Sequence, residues 1–227
     1  SQTAVSSRPT VEAAVEQGLN RPVAFAAILK AGKGDIVARA HKELKAQHEL
    51  IETSGVAHLQ FFTQTVGNNE VLLVTMDMKL KSDANKVWRN LQSHDALKGI
   101  FAKLNQAVSA HPRAEEDKAT SPWVRTETIC KLRPANAPKA QHANHPYYAA
   151  VTGLKVQKEA EYRLLHNNVW PGVIDAIGTS GISRFDIFLI EFGEKPYLFY
   201  LFEHTGNDFD TDMAKMGKSP VNRRWWK

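Results

Sequence analysis

The chain has 227 residues, of which 43% are hydrophobic and 23% are charged, an ordinary globular composition that excludes a disordered, collagen-like or coiled-coil protein. The net charge of +5 is spread along the chain and argues against a nucleic-acid surface, while apolar runs of about eight residues or fewer are too short for a membrane helix. The length fits two domains of roughly 100 residues. The single cysteine, Cys130, excludes an internal disulfide and a multi-cysteine metal site.

The first half of the chain alternates between strand and helix patterns. Small and polar residues fill an N-terminal extension at 1–20, and an apolar run then predicts a strand at 21–29. Helical spacing begins at Asp35, a candidate N-cap, and ends at Ser54-Gly55. The pattern continues with strands at 56–66 and 70–78, helices at 82–91 and 97–108, and a last strand at 123–132.

This order predicts an α+β fold of the ferredoxin-like βαββαβ type. Residues 21–133 form the first predicted domain, and the aperiodic segment 134–145, rich in Ala, Pro and Asn, reads as a linker. The second domain, 146–227, repeats the pattern with a strand at 147–155, one helix from about 158 to 178, strands at 182–192 and 197–204, and a terminal helix.

The two halves align with a constant offset of 126 residues, which places Ser54-Gly55 on Ser180-Gly181 and Gly67 on Gly193. We interpret this alignment as a tandem duplication. The second copy ends where the first continues for about 30 residues to its last strand. Its closing strand is therefore expected to be absent, disordered or donated from elsewhere.

Three side chains on the helix of the second half could carry chemistry. Tyr162, His166 and Trp170 are spaced at i, i+4 and i+8, so on one continuous helix they share a face, although Pro171 must bend or break that helix. An aromatic stripe of this kind can simply belong to a core. His166 favours a functional role, because imidazole both donates and accepts protons near neutral pH.

The C-terminal sequence Arg223-Arg224-Trp225-Trp226 is the second unusual feature. Two adjacent indoles cannot both face the core of one helix, so one should meet a ligand, a partner or the other domain. Flat aromatic faces commonly bind the C–H side of sugar rings.

These residues together resemble a known family. The stretch from Tyr162 to Pro171 (YRLLHNNVWP), followed by Ser180-Gly181, a hairpin and the terminal RRWWK, is similar to the L-rhamnose mutarotase family. That family shows a Y-x-x-x-H-N-x-x-W-P helix and a downstream R-W-W-K helix end on a dimeric ferredoxin-like α/β-barrel. The resemblance covers roughly residues 146–227.

The resemblance implies a site and a reaction. His166 would be the general acid/base that opens and recloses a pyranose ring, and Tyr162 would hydrogen-bond the sugar. Trp170, Trp225 and Trp226 would line the pocket, with Asn167 as a further substrate-binding residue. The implied substrate is a 6-deoxy-hexose of the L-rhamnose or L-fucose type, and the chemistry needs neither cofactor nor metal.

The first domain repeats the order of strands and helices but not the site residues. At the 126-residue offset Tyr162 falls on Ile36, His166 on Ala40 and Trp170 on Leu44; the nearby His41 has no aromatic companions and is expected to be a surface histidine. Such a domain would replace the second subunit of the family dimer. The expected architecture is therefore a pseudo-dimer of two dimeric α/β-barrel domains within one chain, with further homo-oligomerisation left open.

Other functions remain open at this level. The duplicated scaffold could bind sugar without turnover, act as an interaction module, or catalyse another proton transfer on sugars, such as epimerisation or β-elimination. Tandem RNA-recognition domains share the element order, but the central strands EVLLVTMDM and PYLFYLFEH lack their aromatic motif. We expect a monosaccharide ligand, no nucleic acid and no membrane. The sequence does not fix the compartment, which could be cytoplasmic, or periplasmic after removal of a signal peptide.

Overall fold

A computed structural model of the chain describes residues 20–115, 120, 122–139 and 146–227. Residues 1–19 of the expected N-terminal extension and residues 140–145 of the expected linker lie outside the described residues. The first half contains β1 (Asn20–Leu29), α1 (Gly34–Ala46), α2 (His48–Thr53), β2 (Val56–Val66), β3 (Asn69–Lys79), α3 (Ala84–Ser93), α4 (Lys98–Ala107), β4 (Val108–Ser109) and β5 (Val124–Arg125). The second half contains β6 (Glu127–Leu132), β7 (Tyr147–Gly153), α5 (Glu159–Asn167), α6 (Pro171–Thr179), β8 (Ile182–Phe192), β9 (Lys195–His204), α7 (Phe209–Lys218) and α8 (Pro220–Trp225).

The described strands form two antiparallel sheets. The first has the order β2-β3-β1-β4, with β5 also pairing with β1, and the second has the order β6-β8-β9-β7. The predicted mixed class of strands and helices is therefore confirmed. Each half runs strand, helical segment, hairpin, helical segment, as the sequence pattern predicts, and each helical segment consists of two helices. Whether the halves arose by duplication stays a prediction.

The two sheets pack face to face, and helices cover their outer faces. Alternation along β1 explains this arrangement, because Ala24 and Ala26 face the second sheet while Phe25 and Ala27 face the helices of the first half. On the other side, Phe188 and Phe199 enter the same core between the sheets. The result is four layers in the order helix, sheet, sheet, helix. No helix within the described residues is long and apolar enough to span a membrane.

The edge strands of the first sheet approach those of the second sheet on both sides. On one side the Thr126 N–H donates to the Ala24 carbonyl at 2.9 Å and the Thr128 hydroxyl donates to the Pro22 carbonyl at 2.8 Å. On the other side the Gln64 amide donates to the Ala149 carbonyl at 3.4 Å. These bonds hold the face-to-face sheets in a barrel-like arrangement.

The expected last strand of the first half is divided between the sheets. Val124 and Arg125 pair with β1, but residues from Glu127 onward pair with β8 in the second sheet. Cys130 is thereby buried in the core of the second half. The second sheet thus receives its fourth strand, β6, from the segment expected to close the first domain. That strand lies beside β8, at the edge opposite β7.

Two helix predictions in the first half need correction. The continuous helix expected from Asp35 to Ser54 is broken at Gln47 into α1 and α2. Asp35 is not the N-cap, because the Lys33 carbonyl already accepts from the Ile36 and Val37 N–H groups. Asp35 instead lies in the first turn, where a carboxylate interacts favourably with the helix dipole.

The predicted helix stops are confirmed. Gly55 and Gly181 adopt φ values of 85° and 74°, the left-handed region that glycine enters without steric cost. At Gly181 a side chain would also collide with its neighbours, since a Cβ would lie 2.8 Å from the Asp212 carboxylate and 2.9 Å from the Gly206 Cα. These turns set the entry of each hairpin, including the β8–β9 hairpin beneath the candidate site.

Candidate active site

The helix that should carry Tyr162, His166 and Trp170 is two helices in the structure. α5 ends at Asn167 and α6 begins at Pro171, so the single helix expected from about 158 to 178 is wrong, while the expected break at Pro171 is confirmed. Proline lacks an N–H and disfavours αR in the residue before it, and Trp170 accordingly has φ −60° and ψ 136°. Tyr162 and His166 remain one turn apart on α5, and Trp170 leaves that face.

An ion-pair cluster fixes α5 on the second sheet. The Arg163 guanidinium donates to both carboxylate oxygens of Glu127 in β6 and, at 2.7 Å, to Glu159 one turn earlier on α5. Charge-assisted bonds of this bidentate type hold orientation as well as distance. The donated strand β6 therefore helps to position the helix that carries Tyr162 and His166.

A cavity of about 480 Å³ lies between α5, α6, α8 and the second sheet. Its volume is within the range of small-molecule sites. Its lining residues are Cys130, Leu132, Lys158, Glu161, Tyr162, Leu165, His166, Val169, Val173, Ile177, Phe185, Ile187, Tyr200, Met216, Asn222, Trp225, Trp226 and Lys227.

His166 is held in one orientation at the wall of this cavity. Its ring stacks on Tyr162, with centroids 3.9 Å apart, and meets the edge of Trp225 at 5.5 Å. Its Nδ1 lies 2.9 Å from the Tyr162 carbonyl oxygen. A carbonyl oxygen only accepts, so Nδ1 carries the hydrogen and Nε2 holds the lone pair in the neutral ring.

The environment of His166 favours the neutral imidazole. Burial lowers its pKa from the ordinary 6.5, and the hydrogen bond to the Tyr162 carbonyl opposes only part of this shift. Among the described residues no side chain or carbonyl hydrogen-bonds to Nε2. At neutral pH the cavity is therefore lined by a base with one available nitrogen.

Two phenol groups also meet in the cavity. The Tyr162 hydroxyl lies 3.5 Å from the Tyr200 hydroxyl on β9. Burial and this mutual contact raise the pKa of Tyr162 far above its ordinary value, and burial also raises the pKa of Tyr200. Both hydroxyls stay protonated at neutral pH and serve as hydrogen-bond donors.

The two terminal indoles both line the cavity. Trp225 is half-buried against His166, and Trp226 is 58% exposed. Trp170 does not line it: this side chain packs edge-on against Trp225 at 5.2 Å and carries the Arg224 guanidinium over its ring at 5.6 Å. Asn167 is exposed and does not line it either. The structure thus brings Tyr162, His166, Trp225 and Trp226 together, and it places Trp170 behind Trp225.

Several lining residues escaped the sequence analysis. Tyr200 lies in the strand PYLFYLFEH, where alternation alone could have placed it on the helix-facing side of the sheet. Asn222 is 1% exposed, and its amide donates to the Met216 carbonyl at 3.3 Å. Cys130 comes from β6, whose pairing with the second sheet no local pattern indicates. Burial raises its thiol pKa to about 11, so the group stays protonated.

His41, the histidine of the first half nearest in register to His166, has different neighbours. His41, expected to be a surface histidine, is half-buried and stacks on Phe61 with centroids 5.1 Å apart. Burial lowers its pKa. The surface expectation is wrong because α1 packs its polar edge over β2. Within the described part of the chain, no group of three or more His, Cys, Asp or Glu side chains could hold a metal ion.

Comparison with known proteins gives the same region a family. The model for L-rhamnose mutarotase matches residues 147–227. An L-rhamnose mutarotase of Mesorhizobium japonicum is 34% identical over 82 residues, which are 35% of this chain and 70% of the relative. That of Brucella anthropi is 34% identical over 79 residues, again 35% of this chain and 70% of the relative.

The fold has a structural counterpart. A protein from Fusobacterium nucleatum that is proposed to be a monooxygenase superposes with a TM-score of 0.55 at 12% identity, covering 90% of this chain and 83% of that one. At this identity the likeness concerns the fold alone. The family model matches the half that contains His166 and the cavity. Through that half, the chain belongs to the L-rhamnose mutarotase family, a family of isomerases that act on carbohydrates.

Proposed function

We propose that the second half of the chain is a cofactor-free mutarotase that interconverts the anomers of a 6-deoxy-hexose of the L-rhamnose or L-fucose type. The observation that carries this proposal is the setting of His166: a neutral imidazole with a fixed tautomer and an available Nε2, lining a cavity walled by indole rings. Tyr162, Trp225 and Trp226 are its substrate-binding neighbours. Trp170 acts by supporting Trp225, and Asn167 contributes from outside the described cavity.

The proposed reaction needs only proton transfers. His166 Nε2 takes the proton of the anomeric hydroxyl while the bond between C1 and the ring oxygen breaks, and the ring oxygen gains a proton from solvent water. The free aldehyde turns about the C1–C2 bond. In the reverse steps the ring oxygen attacks the other face of C1, the imidazolium returns its proton to the new anomeric oxygen, and the proton on the ring oxygen returns to water.

The sheet side of the cavity supports the proposed preference for a deoxy sugar. Its lining side chains are Leu132, Phe185 and Ile187, the protonated thiol of Cys130, and the hydroxyl of Tyr200. A C6 methyl group can rest on such a surface, whereas a C6 hydroxyl would lose its hydrogen bonds to water. Leaving a hydroxyl unpaired in a protein costs about 1–3 kcal/mol.

The preference can be tested with two sugars that differ by one atom. L-Rhamnose is the 6-deoxy form of L-mannose, so we expect kcat/KM for anomer exchange to be about tenfold higher for L-rhamnose. Exchange NMR of the anomeric protons, corrected for the spontaneous rate, measures both. Equal kcat/KM values would show that the cavity does not distinguish the C6 methyl group of L-rhamnose from the C6 hydroxymethyl group of L-mannose. No acceleration of either sugar or of L-fucose, together with measurable binding, would favour a sugar-binding module or another sugar reaction.

The pH dependence tests the protonation state of His166. Because burial lowers its pKa below 6.5 and the neutral ring is the base, kcat/KM should rise with pH, reach half its maximum below pH 6.5 and be level at neutral pH. The measurement is exchange NMR across about pH 4.5 to 8 with the buffer rate subtracted. An activity that falls as pH rises through this range would mean that the imidazolium is the active form.

The architecture is part of the same proposal. The halves, with limits at 21–133 and 146–227, would be a tandem pair of ferredoxin-like domains that form a pseudo-dimer around the core between the two sheets. The shared element order and the face-to-face sheets support this reading. Superposing the two halves in a crystal structure tests the duplication. If β1–β3 did not align on β7–β9, the duplication would be rejected.

A further inference from the structure

Tyr200 lies at the centre of the sheet side of the cavity. In β9 it pairs with Ile187 of β8 and Ala150 of β7. Its strand neighbours Phe199 and Leu201 point into the core between the sheets, so Tyr200 points to the helix side, where its ring lies 6.0 Å from that of Phe185. Of the cavity residues contributed by the second sheet, it alone brings a hydroxyl.

The contact between the two phenols is long. Their oxygens are 3.5 Å apart, at the outer limit of hydrogen bonding, where the interaction is weak. Within the described residues this is the single side-chain hydrogen bond of Tyr200. Each phenol has one hydrogen, so Tyr162 can donate to Tyr200 while the Tyr200 hydrogen remains available. A ligand oxygen that replaces this weak bond could accept from both.

We propose that Tyr200 is a specificity-determining residue that, together with Tyr162, donates hydrogen bonds to one ring hydroxyl of the substrate. This inference rests on the proposed mutarotase function and adds to it a polar contact on the sheet side of the sugar. Burial keeps both phenols protonated, so the pair always presents donors. The other cavity residues of the second sheet are apolar side chains and the protonated Cys130 thiol, so Tyr200 is the strong hydrogen-bond donor of this wall.

The test is the variant Tyr200→Phe, which removes one oxygen and keeps the ring packed on Phe185. With L-rhamnose we expect kcat/KM to fall about tenfold, mainly through a higher KM. We would also compare kcat/KM of wild type and variant with the 2-, 3- and 4-deoxy derivatives of L-rhamnose. One of them, the analogue that lacks the bound hydroxyl, should react equally well with wild type and variant. If Tyr200 had a purely structural role, the variant would lose activity with every analogue, including this one.

Tyr197→Phe is the matched control, because Tyr197 lies in the same strand and packs against Phe192 towards the core between the sheets. This variant should have the same kcat/KM as wild type with every sugar. Unchanged kcat/KM in Tyr200→Phe with an active wild type would overturn the role of Tyr200 alone, as would an equal loss with every analogue. A wild type that neither turns over nor binds any of these sugars, as followed by NMR, would overturn both this role and the mutarotase function.

Discussion

Replacing His166 by alanine should reduce enzyme-dependent anomer exchange of L-rhamnose by about 100-fold or more. General acid–base groups contribute about 10² to 10⁴ in rate, and His166 brings an available basic nitrogen, Nε2, to the cavity. The substitution leaves Tyr162, Trp225 and Trp226 in place. Binding of L-rhamnose, measured by NMR titration, should therefore change far less than kcat.

A second substitution separates chemistry from packing. His166→Gln keeps much of the side-chain volume and retains an amide that can donate to the Tyr162 carbonyl, but it offers no proton acceptor of suitable pKa. It should be as inactive as His166→Ala. His48→Ala, an exposed histidine on α2, is the control and should behave like wild type. Full activity of His166→Gln would remove the acid/base role and leave His166 as a binding residue.

Local spacing predicts the helical part of this site well. Tyr162 and His166 are four residues apart, and the backbone carbonyl of the first holds the ring of the second, so one helical turn is enough to build the pair. The chemistry of proline likewise predicts the break before Pro171. Trp225 reaches His166 through tertiary packing, and here only the resemblance to a family linked two motifs about 60 residues apart.

The sheet side of the site was not predictable from local pattern. β6 follows directly on the strand that pairs with β1, but it crosses to the second sheet and brings Cys130 into the core of that half. Tyr200 looks like any aromatic residue in a buried strand until its partner Tyr162 is placed above it. Pairing between distant strands has no periodic signature, so residues that it brings together appear only in three dimensions.

The two halves are also joined by a buried group of charges. Arg184 of β8 donates to both carboxylate oxygens of Asp77 in β3, at 2.5 and 2.8 Å, and its Nε donates to Asp186 at 2.7 Å. Arg133, just after β6, donates to both oxygens of Asp186 at 2.7 and 3.1 Å. Asp186 is fully buried, and Arg184 and Asp77 are 5% and 8% exposed. Asp186 is thus held by both guanidinium groups, Asp77 is held by Arg184, and Lys131 adds a further positive charge nearby.

Removing Arg184 should therefore destabilise the protein strongly. Arg184→Met keeps an apolar stem of similar length but leaves Asp77 buried without its bidentate partner, and breaking a buried pair in this way costs about 3–5 kcal/mol. Urea unfolding at neutral pH, compared at equal m-value, measures the change in the free energy of unfolding.

Arg113→Met is the matched control, because its pair with Glu191 also joins the two halves but is 46% and 42% exposed, and its loss should cost less than about 1 kcal/mol. Arg184→Lys should recover part of the loss, since an ammonium restores the charge without the two-pronged geometry. Equal costs for Arg184→Met and Arg113→Met would mean that burial does not set the strength of this junction, and that the sheets are held together by the apolar core between them.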